Sequence, residues 1–153
     1  MTLFRLGAMA ALAFLLAAFA GSAPTHSPHI SEITLSRTEC YGTCPVYDLV
    51  LRSDGTATYH GGPHSRLEGD WTGTFSKNDF AELVHLAELI GYSSFAAVYE
   101  RPVTDSPWAI TSVVRAGQRK RVRNYASTGP LALSAFEAAI DVVSARAEWS
   151  KVK

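Results

Sequence analysis

The 153-residue chain has no excess charge of either sign: 14 Lys and Arg balance 14 Asp and Glu. A domain that grips phosphates broadly carries a basic surface, so the overall charge offers nothing for a nucleic-acid partner. Cysteine is scarce, with two residues in all. That excludes the multi-bridge framework of small secreted scaffolds, and the chain is long enough to bury a core without one. There is no H-E-x-x-H and no C-x-x-C, so the spacings typical of zinc sites are missing. No serine sits on a sharp glycine turn beside a base, as acyl transfer asks. Acids are plentiful, but the sequence pairs none of them for hydrolysis. No catalytic residue is therefore assigned, and no cofactor is expected. Long hydrophobic runs are also lacking. The longest, Leu6 to Ala20, falls short of the ~20 residues of a comfortable membrane span, and no cysteine follows it to carry a lipid. No internal repeat is visible beyond a loose similarity of the two halves.

What is present begins at the N-terminus. Arg5 is the only charge before Glu32, an apolar run follows it, and Ala18-Phe19-Ala20 fits an A-x-A cleavage pattern. This order of charge, apolar run and small residues is that of a secretory signal peptide over 1–20. An uncleaved signal is the one way the chain would hold to a membrane. Residues 21–29, rich in Pro, Ser and His, read as a flexible linker. A single domain is expected over 30–149, exported to the periplasm or beyond.

Alternating apolar residues give strands over 30–37 and 46–52, with Tyr47, Leu49 and Leu51 on the more apolar face of the second. Asp54-Gly55 is a hairpin signal, returning as a strand over 56–60. A fourth strand falls within 67–75. Ser76 can cap a helix whose apolar residues recur at helical spacing from Phe80 to Ile90, with Gly91 as its stop. An irregular segment crosses 92–107. A second hairpin covers 108–115 and 119–125. Gly129-Pro130 opens a last helix with an apolar face that begins at Leu131. The expected fold is α+β: about six strands in the order ββββαββα, antiparallel, with two helices packed on one face.

Cys40 and Cys44 are four residues apart. Along a strand that is ~13 Å, beyond disulfide reach, so a bridge requires a turn between them. Gly42 permits a positive backbone angle and Pro45 fixes the exit. In an oxidising compartment the pair reads as a disulfide loop joining two strands. Closing so short a loop contributes about 2 kcal/mol, which makes local shaping its main effect. Two other chemistries use the same residues. One is a redox dithiol. The other is copper: C-x-x-x-C-P looks like the motif of thioredoxin-like copper chaperones, which implies thiolates from Cys40 and Cys44 with a nitrogen from His60 or His64.

Arg37, Cys40-x-Gly42-x-Cys44-Pro45-x-Tyr47, Asp54-Gly55 and Val103-Thr104-Asp105-x-Pro107 occur in that order. Pro130, Ile140-Asp141 and Trp149 follow. Together they resemble a bacterial family of exported domains of unknown function, over about residues 30 to 149. The resemblance implies one small α+β domain with no established activity and no catalytic residue to carry over.

Arg119, Arg121 and Arg123 share one face of a strand with Tyr125. They form either a strip for a phosphate, an acidic polysaccharide or a partner protein, or a charged edge that deters strand pairing. Asp105 reads as a turn residue that bonds nearby N–H groups. The functional expectation is a non-enzymatic binding module shaped by the Cys40–Cys44 loop. Its partner would be an unidentified protein or small molecule of the cell envelope.

Overall fold

The computed structural model describes residues 29–153. The signal peptide expected over 1–20 and almost all of the linker expected over 21–29 lie outside the described residues. Among the described residues, eight strands and two helices follow one another. Strands β1 (Ile30–Arg37), β2 (Tyr47–Arg52), β3 (Thr56–Gly61) and β4 (Gly69–Thr74) form an antiparallel meander. Helix α1 (Lys77–Leu89) follows, then a single 3-10 turn (Tyr92–Ser94), β5 (Val98–Tyr99), β6 (Trp108–Arg115) and β7 (Gln118–Tyr125). Helix α2 (Leu131–Arg146) and β8 (Glu148–Lys151) close the chain. All strands join one sheet in the order β5-β7-β6-β1-β2-β3-β4-β8.

The mixed α/β class stands, but the strand count of six and the order ββββαββα are corrected. β5 has two residues and pairs in parallel with β7; β8 has four and pairs with β4. Neither is long enough to show a period of two, so only their place beside existing edges makes them strands.

Local chemistry explains the longer elements. Strand residues alternate between buried and exposed, most clearly Tyr47, Leu49 and Leu51 against exposed Asp48. β1 departs from strict alternation. Its pairing with β6 slips between Ile30 and Glu32, and this bulge puts Ile30 on the buried side with Ile33 and Leu35. The Ser76 hydroxyl caps α1 by accepting from the Asn78 N–H, and Gly91 ends the turn beyond it at φ 63°. Leu131, counted into the apolar face of α2, instead lies 85% exposed at its first turn.

The buried strand side chains and those of both helices form one core, with Phe136, Ile140, Leu133, Phe80 and Leu83 supplied by the helices. α2 has a second task. It carries the chain from β7, near one edge, to β8 at the other. Its 16 residues span about 24 Å. Six inter-strand spacings, from β7 to β8, come to about 29 Å. α2 therefore runs across the strands, and successive turns of it meet successive strands.

Candidate functional site

The cysteine loop joins β1 to β2. Cys40 and Cys44 form a disulfide with their Cα atoms 5.7 Å apart, so the chain turns between them. Gly42 sits at φ 153°, where an L side chain is strained. A Cβ there would meet only Cys40 Sγ at 3.8 Å, so backbone conformation, not lack of room, calls for glycine. The Gly42 N–H donates to the Cys40 carbonyl at 2.9 Å. Pro45 then leads into β2.

Two neighbouring segments hold this loop. The Tyr41 N–H donates to the Asp105 carbonyl at 3.0 Å. Asp105 adopts a left-handed conformation, φ 64°, which Asp tolerates better than most residues. Its main chain, not its carboxylate, makes the connection. Pro107 fixes the far side of the same turn by accepting from the Ala126 N–H at 3.0 Å. On the other flank, the Val46 N–H donates to the Pro63 carbonyl at 3.0 Å, and the Gly62 N–H donates to the Val46 carbonyl at 2.8 Å.

A third support comes from below. Arg37 and Tyr47 stand opposite one another in the β1–β2 register, on the helix-covered face. α2 crosses above them and delivers Asp141. Arg37 Nη2 donates to Asp141 Oδ2 at 2.7 Å, and Arg37 Nε donates to the Tyr47 hydroxyl at 2.9 Å. The Tyr47 hydroxyl donates to Asp141 Oδ1, closing a ring of three hydrogen bonds. Burial pushes the Tyr47 pKa up, and its hydrogen bond to Asp141 pushes the same way, against the pull of the Arg37 charge. The phenol keeps its proton and remains a donor. Each Asp141 oxygen already accepts a bond, and its charge is matched by Arg37. The ring is suited to bracing and offers no free base.

Glu137 lies one helical turn before Asp141 and is 3% exposed. It accepts from Asn124 Nδ2 at 2.9 Å, while Asn124 Oδ1 accepts from the Gly129 N–H at 2.8 Å. Burial raises the Glu137 pKa above its ordinary 4.5, opposed by the Asn124 hydrogen bond and the Arg37 charge and aided by Asp141. An acid with a raised native pKa favours the fold while protonated, and that contribution fades as pH rises through the native value. Glu137→Gln cannot ionise. It is expected to melt above the parent at about pH 7 and level with it at about pH 4, as thermal denaturation at the two pH values would show. Equal gains at both would remove ionisation as the cause.

Other residues singled out from the sequence are dispersed. His60 Nδ1 pairs with Asp70 on the open face of the sheet, and that hydrogen bond and charge raise its pKa. His64 lies in the β3–β4 loop at φ 62°. With both cysteines in the disulfide, no group of three or more His, Cys, Asp or Glu among the described residues is placed to hold a metal. Arg119, Arg121 and Arg123 do share the open face of β7, yet they do not act alike. Arg119 is clasped by Ser112 Oγ and Glu32, both at 2.7 Å. Arg123 lies over the Trp108 ring, 4.2 Å from its centroid. Arg121 is exposed, with no side-chain partner among the described residues.

Sequence reasoning passed over Tyr41. It is 91% exposed, the most exposed large hydrophobic residue among those described. The available signal was its place between Cys40 and Gly42, where no periodic apolar partner accounts for an aromatic ring.

A family model described as a domain of unknown function, DUF6438, matches residues 31–144. The chain belongs to that family. The DUF6438 match takes in the cysteine loop, Arg37, Tyr47, Asp105 and Asp141, and stops before β8. No curated protein and no solved structure gives a significant match. The DUF6438 description assigns no activity, so the chemistry of the loop has to carry the functional argument.

Proposed function

We propose that this domain is an exported, non-enzymatic recognition module of the periplasm or cell exterior, whose binding surface centres on Tyr41. One observation carries the reading. A 91% exposed aromatic ring stands at the tip of a loop closed by a disulfide and tied by a main-chain hydrogen bond to Asp105. Tyrosine offers a large contact area with few rotors to freeze, and a loop already fixed in shape has little ordering left to lose on binding. The Arg37–Tyr47–Asp141 ring supports the same reading, since it stiffens the base of the loop without exposing a reactive group. Export is supported by the signal-like N-terminal pattern and by the use of the only cysteine pair as a disulfide.

The test is site-specific photocrosslinking in cells that export the full chain. A crosslinker at position 41 is expected to give a discrete adduct that disappears in a Cys40→Ser, Cys44→Ser background. The same probe at exposed Leu89 on α1 should give none. Equal labelling at both positions, or an adduct indifferent to loss of the bridge, would reject Tyr41 as the centre of recognition. Tight Cu(I) binding by the reduced protein, lost in Cys44→Ser, would transfer the loop to the copper reading.

A further inference from the structure

β7 has an uncovered edge. β6 pairs with its whole length, but on the other side β5 meets only Arg123 and Asn124. The Arg123 N–H donates outward to the Ala97 carbonyl at 2.9 Å. Inward and outward positions alternate along an antiparallel ladder. Arg119 and Arg121 therefore also turn their main-chain N–H and C=O groups outward, and among the described residues these have no bonding partner.

Beside this edge, on the helix side, lies a groove of about 650 Å³. Ile30, Ala87, Tyr92 and Val113 give it apolar walls, and Arg115 and Lys120 give it cations. Charge is unbalanced here. Arg115, Arg119, Lys120, Arg121 and Arg123 are clustered in sequence on one hairpin. Among the described residues, only Glu88, at 2.9 Å from Arg115, and Glu32, on Arg119, form ion pairs with them. The Lys120 ammonium reaches, among the described residues, only the Phe95 carbonyl, at 2.6 Å.

We infer that this edge takes up an extended acidic segment of a partner protein, which adds a strand to β7 in line with β5. The outward main-chain groups of Arg119 and Arg121 supply the hydrogen bonds, as in strand addition generally. Alternate side chains of the added strand point to opposite faces. Carboxylates on one side meet Lys120 above the groove, and those on the other meet Arg121. A second copy of the chain is a poor occupant. β7 against β7 sets arginine against arginine, and the other sheet edge, Glu148-Trp149-Ser150-Lys151, brings one acid and one base. The cations that deter pairing between like edges admit an acidic strand. This surface is separate from the Tyr41 loop, so either assignment can fail alone.

The experiment is selection of random heptapeptides on the full exported chain, followed by amide exchange by NMR. Enriched peptides are expected to carry Asp or Glu at alternate positions. In the free protein the Arg119 and Arg121 amides should exchange faster than those of Lys120 and Val122, and bound peptide should protect them. Arg121→Glu should weaken binding by about tenfold or more, since it sets a like charge opposite the ligand. N-methylation of alternate peptide amides should abolish binding with the charge unchanged. Selected peptides without an acidic pattern, or binding that leaves the Arg119 and Arg121 amides unprotected, would overturn the assignment. So would equal affinity for Arg121→Glu.

Discussion

Asp141→Ala is expected to destabilise the domain by about 2–3 kcal/mol and to loosen a loop far away in sequence. Removing one partner of a fully buried ion pair costs about 3–5 kcal/mol. The Arg37 and Asp141 side chains keep 26% and 39% of their exposure, which lowers the expected cost. Tyr47 adds to it, because the residue is buried, at 7% exposure, and its hydroxyl loses its acceptor. Asp141→Asn keeps an acceptor for Tyr47 and should cost less than the alanine. Chemical denaturation of both variants measures the size of the effect. A double-mutant cycle of Tyr47→Phe with Asp141→Ala measures whether the ring acts as a unit. A coupling of about 1 kcal/mol is expected for groups in one hydrogen-bond network. Strict additivity would mean that three independent contacts happen to meet there. If the ring braces the cysteine loop, the Tyr41 amide, which bonds to Asp105, should also exchange faster in Asp141→Ala. Unchanged exchange would confine the role of the ring to docking α2.

The same ring marks the limit of what the sequence discloses. Arg37 and Tyr47 lie at the ends of two strands whose alternation is plain, and their pairing follows once the loop between them turns. Asp141 is another matter. It lies 104 residues from Arg37, on a helix whose direction depends on where the chain must go next. That destination is β8, four residues with no periodic signal, beside β4. The crossing of α2 over the strands, and with it the ring, was therefore beyond local pattern. Tyr41 was hidden for the opposite reason. Its exposure is an absence of contacts, and hydropathy marks an aromatic residue as core material. The elements read best were β1, β2 and β6; β2 keeps a clear period of two, whereas β1 is interrupted by its bulge and β6 buries Thr111, Ser112 and Val113 in succession. Arg119, Arg121 and Arg123 share one face, yet the engagement of Arg119 with Glu32, of Arg123 with Trp108 and of Arg121 with neither depends on what β1 and β6 present beside them.

Gly61→Ala is expected to be more damaging still, at about 3 kcal/mol or more and a fall in melting temperature of about 10 °C. Gly61 ends β3, opposite Tyr47 on one side and Gly69 on the other. The loop that follows folds back over it. A Cβ at this position would lie 1.6 Å from the Leu67 carbonyl oxygen, 2.7 Å from its carbon and 2.5 Å from Ser65 Oγ. A long side chain could swing away from such a clash, but a carbonyl cannot move without its chain. Ser65 holds that chain in place, its single hydroxyl proton shared between the Gly62 carbonyl at 2.7 Å and the Leu67 carbonyl at 2.9 Å. The same loop carries Gly62 and Pro63, which bind Val46 just after the cysteine bridge. Displacing it should therefore release the exit of the cysteine loop as well as the end of β3. Gly117→Ala is the control. It has a positive φ of 77° in the β6–β7 turn but no atom within 4 Å of the added methyl, so it should cost only about 1 kcal/mol of backbone strain. Thermal melts of the two variants, with exchange of the Val46 amide, separate crowding from lost glycine freedom. A Gly61→Ala protein that melts like Gly117→Ala would mean the β3–β4 loop can lift without cost, and Val46 would then need no support from it.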